Sequence, residues 1–198
     1  FAPAFSIRAH SASRLLKSQA STEGATIIGL LFIGSSFSLA FIMDDLLDFS
    51  SDTYFMGEAL RQAKKAEAQD EVPIGAVIVR NFEIIGRAWN QVEVLKDATA
   101  HAEMLAITQA ESVVGDWRLD DCDLYVTKEP CPMCAGAIVH ARLRRVIYGC
   151  PDQKTGGAGG MINLLQMPPQ NHQCEITRGV RENECREILQ RFFRKKRG

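Results

Sequence analysis

His101 and Glu103 stand two positions apart, and 131 − 101 = 30 positions after that histidine a C-x-x-C pair, Cys131 and Cys134, follows Pro130. A His-x-Glu alone means little. A C-x-x-C at the N-terminus of a helix places both sulfurs on one turn, beside the positive end of the helix dipole, and favours the thiolates that a metal needs. With one imidazole added the set is Cys2His, three protein ligands where a structural zinc site has four, which leaves a position for water. Glu103, two residues after the ligand, falls beside that water without binding the metal, where a carboxylate acts first as base and then as acid. Two other readings of the same residues are a thioredoxin-like redox pair and a structural zinc site completed by Cys122, Cys150, Cys174, Cys185, His140 or His172.

The elements around these residues alternate between helical and strand periods. Thr53 is placed to cap a helix whose apolar positions Phe55, Met56, Ala59, Leu60 and Ala63 recur at helical spacing, with Arg61, Lys64 and Lys65 facing water. Pro73 precedes a strand over 74–79, and 83–88 returns as its hairpin partner. A helix over about 100–110 follows Thr99, a third strand runs over 123–127, and Glu129-Pro130 ends it. Then come a helix over about 131–141, a strand over 145–148, a Gly-rich loop over 155–160, a short strand over 175–177 and a last helix over 181–197. Helical connections of ten or more residues require crossovers, so strands three to five are predicted parallel and the first hairpin antiparallel. The fold class is α/β, a five-stranded mixed sheet with helices on both faces.

With 198 residues, 23 Lys plus Arg against 24 Asp plus Glu, and 46% hydrophobic residues, the chain is neither a disordered tail nor a globally basic nucleic-acid coat. A nucleic-acid partner must therefore be met by a local patch. Six cysteines are too few for a disulfide scaffold and point to a reducing compartment. The first part of the chain reads differently. Residues 24–43 contain no charged residue or histidine, and residues 1–22 carry Arg8, Arg14, Lys17 and five serines but no acid. By length and composition this is a candidate membrane span, signal or transit segment, or an unstructured or spurious leader. The expectation is a leader over 1–42 and a folded domain over 43–198.

The order H-x-E, then P-C-x-x-C, is that of the zinc nucleobase deaminases. Within that group Glu71-Val72-Pro73-Ile74-Gly75-Ala76, Trp89-Asn90, Thr99 to Glu103, Tyr125 to Ala137 and Asp152-Gln153-Lys154-Thr155-Gly156 resemble the bacterial-type tRNA adenosine deaminases, from about residue 54 to 197. The resemblance implies a cytidine-deaminase-like three-layer α/β/α sandwich and a homodimer with one zinc ion per subunit and no obligatory protein partner. It implies hydrolysis of the wobble adenosine in a tRNA anticodon stem-loop to inosine, in the cytoplasm; an organelle or a membrane is the alternative if residues 1–42 are genuine. His101, Cys131 and Cys134 take the metal, Glu103 the proton, and Asn90, Ala102, Asp152 and Lys154 the substrate. Two positions depart from the family pattern: Lys128 replaces an apolar residue, and Gly159-Gly160 replaces a common Gly-Ser pair.

Plainer roles stand beside several of these. Asn90 is also suited to closing a turn, and Asp152 to capping the Gly-rich loop. Phe192 and Phe193 are adjacent, so on a helix one faces the core and the other is left to stack on RNA. Arg191, Arg194, Lys195, Lys196 and Arg197 form either a solvated face or an RNA-backbone contact. A free guanine or cytosine deaminase and a non-catalytic zinc-binding RNA module are the competing functions. Lys154-Thr155-Gly156 and the basic last helix argue against the first, and the second requires that Glu103 be dispensable.

Overall fold

The computed structural model describes residues 51–198. The leader expected over 1–42 lies outside the described residues. Helix α1 spans Asp52–Ala68, and its N-cap is Ser51, not Thr53: Tyr54 N–H donates to Ser51 Oγ at 3.2 Å, and Phe55 N–H reaches the Ser51 carbonyl at 3.2 Å. The helix starts early enough to place Asp52 in its first turn, where an acid complements the dipole. Arg61, Lys64 and Lys65 are exposed and Phe55, Met56, Ala59 and Ala63 buried, as the spacing predicts.

Strands β1 (Gly75–Arg80) and β2 (Glu83–Trp89) are antiparallel and joined through Asn81 and Phe82, both at positive φ, as a two-residue hairpin turn requires. A short helix that periodicity does not announce, α2 (Val92–Leu95), leads to α3 (Ala102–Val114). Strand β3 (Cys122–Lys128), helix α4 (Pro132–His140), strand β4 (Arg145–Cys150), strand β5 (Glu175–Arg178) and helix α5 (Glu182–Arg197) complete the order. The sheet runs β2-β1-β3-β4-β5, with β3, β4 and β5 mutually parallel and β1 antiparallel to β3.

Both faces of the sheet are covered, so alternate residues feed two cores. On one face Ala76, Ile78, Leu124, Val126, Val146 and Tyr148 meet Ala102, Ala106, Ala110 and Ile138 of α3 and α4. On the other Val77, Val79, Tyr125 and Ile147 meet Phe55, Ala59 and Ala63 of α1 and Cys185, Ile188 and Leu189 of α5. Helix α3 lies close on β2 because Gly86 has no side chain: a Cβ there would stand 2.7 Å from the Ala106 carbonyl oxygen. The three layers hold the C-terminal end of β3 against the first turns of α3 and α4.

Candidate active site

Helix α3 begins two residues later than Thr99 suggests. Asp97 draws Thr99 into a turn of its own, accepting from its N–H at 2.8 Å and its hydroxyl at 2.7 Å. His101 is left as the extended residue before the helix, and its side chain makes no capping bond. Cys131 stands in the same position before α4, also without a side-chain cap, with Pro132 in the first turn. An imidazole and a thiol are thus released from local backbone duty at two helix N-termini.

The three ligand atoms converge. Cys134 Sγ lies 3.4 Å and Cys131 Sγ 3.7 Å from His101 Nδ1, and the sulfurs are 3.6 Å apart. Tetrahedral zinc, with bonds of about 2.3 Å to sulfur and about 2.0–2.1 Å to nitrogen, sets its ligands roughly 3.8 Å apart for two sulfurs and roughly 3.6 Å for sulfur and nitrogen. The residues therefore fit zinc in both type and spacing. The Cys131 thiol is held down to about 4, first by its hydrogen bond with Cys134 and then by His101, whereas that same pairing and burial push the Cys134 thiol up.

All six cysteines are free. Among the described residues only His101, Cys131 and Cys134 form a group that could hold a metal. The other fourth-ligand candidates lie elsewhere: Cys122, Cys174 and Cys185 are core residues, Cys150 Sγ faces the Thr127 carbonyl at 3.5 Å, His172 Nε2 meets the Leu143 carbonyl at 2.7 Å, and His140 is exposed at the far end of α4. Three candidate ligands with no fourth among the described residues is the pattern of an open site.

Glu103 sits in the first turn of α3, 4% exposed, and its Oε2 has no hydrogen-bond partner among the described residues. Burial pushes its carboxyl above the ordinary carboxylate range, so it takes a proton more readily than a surface acid. Ala102, fully buried, separates it from His101. Asn90 is also brought to this end. Gln91 N–H donates to the Ala100 carbonyl at 3.0 Å, tying the segment after Asn90 to the one before His101.

The Gly-rich loop closes another side. Gly157 N–H donates to the Pro130 carbonyl at 2.7 Å, which holds the loop on the Cys131 turn. Asp152 fills the capping role: its Oδ1 accepts from Lys154 N at 2.9 Å and Thr155 N at 3.1 Å, and its Oδ2 pairs with Lys128 at 2.5 Å. The unusual lysine thus stands against an acid. Lys154 is exposed beside it.

The basic helix is split by its partners. Arg191 pairs with Glu67 at 2.7 Å and Lys196 with Asp70 at 2.5 Å, both across to α1. Arg194 and Arg197 instead line a cavity of about 610 Å³ with Lys128, Asp152, Arg186 and Phe193. Phe192 is buried and Phe193 is 42% exposed, so the pair divides as their adjacency predicts.

Two acids that sequence reading left without a role, Glu71 and Glu129, are buried at this end. Each adjoins a proline segment, a weak signal that does not distinguish a buried acid from a surface one.

The chain matches the MafB19-like deaminase family over residues 49–197. It is 51% identical over 148 residues to the tRNA-specific adenosine deaminase of Bacillus subtilis (strain 168), covering 75% of this chain and 92% of that protein. A solved structure from a study of A-to-I editing by tRNA:A34 deaminases at the wobble position of transfer RNA is 44% identical, with a TM-score of 0.67, covering 69% of this chain and 99% of that one. The guanine deaminase of Nitrosomonas europaea, at 19% identity and a TM-score of 0.64 over 85% of this chain and 98% of that one, shares the fold.

Proposed function

The chain belongs to the MafB19-like deaminase family, and from that premise we propose that it works with one zinc ion per subunit held by His101, Cys131 and Cys134 and with Glu103 as its proton carrier. It is a tRNA adenosine deaminase of the bacterial type, converting the wobble adenosine of an anticodon to inosine. The observation that carries the mechanism is the buried Glu103 Oε2, which has no hydrogen-bond partner among the described residues. Held by His101, Cys131 and Cys134, a zinc ion would supply Lewis acidity and make a water more acidic. Glu103 accepts a proton from the attacking water and delivers it to N1 of the adenine. Oxygen adds at C6, and a further proton moved to the amino group lets ammonia leave, so adenosine and water become inosine and ammonia.

Asn90 and the wall at Ala102 hold the nucleoside, while the loop of Asp152 and Lys154 lies against the anticodon. Arg194 and Arg197, with Lys195 and Lys196 between them in the helix, meet the phosphates, and Phe193 is the ring available for stacking. An anticodon loop is already single-stranded, so extruding the base costs only about a few kcal/mol. The working unit is a homodimer, for which exposed Met161 and Ile162 offer an apolar contact. The catalytic unit is residues 43–198, with 1–42 a leader, and the site of action is the cytoplasm. Among the described residues no helix is long and apolar enough to cross a membrane.

Sequencing tRNA incubated with the purified protein tests the assignment, because inosine is read as guanosine. A guanosine read at the wobble position is expected. Ammonia release from free guanine, cytosine or adenosine with tRNA left unchanged would overturn it.

A further inference from the structure

Asn90 is held from behind. Its N–H donates to the Ile74 carbonyl at 3.0 Å, and its Nδ2 donates to Glu71 Oε2 at 2.9 Å. Glu71 is 1% exposed, and its other oxygen, Oε1, accepts from Val94 N–H at 2.7 Å. A backbone N–H only donates, so the carboxylate meets Val94 as an acceptor. Asn90 then satisfies the second oxygen only through its amino end. An amide turned by half a rotation would set carbonyl oxygen against carboxylate oxygen in a buried site, leaving both unsatisfied. The flip is blocked, and Oδ1 is the end left for the nucleoside.

We propose that Glu71 is a positioning residue for the deamination: it fixes the polarity of the Asn90 amide so that an acceptor meets the adenosine. The proposal rests on Asn90 as a nucleoside-binding residue. Within an RNA chain the donors an adenosine carries are its 2′-hydroxyl and its exocyclic amine, and each gives its proton to an acceptor opposite. A freely turning amide would offer them a donor for part of the time. Glu71 also anchors the first turn of α2, so one buried carboxylate fixes both Asn90 and the backbone that follows it.

The test uses the zinc-loaded full chain and an anticodon stem-loop with adenosine at the wobble position. Glu71→Gln keeps the side-chain volume but loses one acceptor. Its kcat/KM is expected to fall by about tenfold or more, with zinc content and melting temperature near those of the wild type. Because Glu71 acts through Asn90, Glu71→Gln added to Asn90→Ala is expected to cause no further loss beyond about twofold. Full wild-type kcat/KM in Glu71→Gln, or losses that multiply in the double variant, would overturn the positioning role while leaving Asn90 as a binding residue. Wild-type kcat/KM in Asn90→Ala would instead remove the reading of Asn90, and the proposal with it. If Glu71→Gln does not fold, the wild-type holoenzyme decides. The side-chain amide resonances of Asn90, identified by their loss in Asn90→Ala, are expected to exchange far more slowly than those of exposed Asn171 and Asn183, and equal exchange would overturn the proposal.

Discussion

Glu103 lies two residues from His101 and Glu129 two residues from Cys131, and they are buried to nearly the same depth, 4% and 3% exposed. In the first turn of α3, Glu103 Oε2 has no hydrogen-bond partner among the described residues, whereas the loop after β4 saturates Glu129. Glu129 accepts from Asp152 N at 2.8 Å, Ala158 N at 3.0 Å and Gly160 N at 2.7 Å. A Cβ on Gly160 would stand 2.7 Å from Glu129 Oε2, so the loop backbone closes directly on the carboxylate. Burial alone therefore does not mark a catalytic acid. A buried acid with a surplus oxygen is able to exchange protons with a substrate, and one whose oxygens are filled by backbone donors holds a loop.

Exchanging each acid for its amide separates these roles most widely at Glu103. Glutamine hydrogen-bonds water but neither takes its proton nor delivers one to N1, and a general acid–base group supplies roughly 10²–10⁴ in rate. Glu103→Gln is expected to lose at least that much inosine formation while keeping zinc, fold and tRNA affinity. Cys134→Ala is the control from inside the ligand set, and is expected to lose both activity and metal. Rates within about tenfold of wild type in Glu103→Gln, or full zinc in Cys134→Ala, would break the division between catalyst and ligand.

At Glu129 the expected loss is of stability more than chemistry. An amide there keeps one acceptor oxygen and turns an amino group toward a backbone donor, leaving a buried N–H unsatisfied at a cost of about 1–3 kcal/mol. Glu129→Gln should lower the melting temperature and loosen the loop carrying Asp152 and Lys154, seen as faster amide exchange over 152–160. Inosine formation should fall far less than in Glu103→Gln. A loss as deep as that of Glu103→Gln with melting unchanged would make Glu129 a second proton carrier.

The two acids also show what a sequence can reveal. That His101, Cys131 and Cys134 meet at two helix starts was legible because C-x-x-C, Pro130 and His-x-Glu act over short spacings, and the parallel order of β3, β4 and β5 followed from crossover lengths. Glu129 was not legible, since its partners are backbone groups 23–31 positions further along the chain. Glu71 depends in the same way on Asn90 and Val94, across the first hairpin. Thr53 and Ser51 satisfy the same capping rule in sequence, and only the bonds from Tyr54 N–H and Phe55 N–H to Ser51 decide between them. Helix α2 is too short to show a period.

The smallest effects belong to the tail, where five cations look equivalent in sequence and are not equivalent in the fold. Lys196 is paired with Asp70 and Arg191 with Glu67, and the partner pulls each acid below its ordinary carboxylate range, while Arg194 and Arg197 line the cavity that also holds Lys128 and Phe193. A cation that already faces an acid must break that pair to reach a phosphate, so its net gain is smaller. For a single-stranded loop each phosphate neutralised adds roughly 0.7 to the slope of log affinity against log salt. Arg194→Ala with Arg197→Ala is therefore expected to flatten the slope by about one to one and a half and to weaken all tRNA substrates alike, with the fold intact. Lys196→Ala should move it by clearly less. Equal changes from the two sets would show that the pairs with α1 open on binding, and no change from Arg194→Ala with Arg197→Ala would return that face of α5 to solvent.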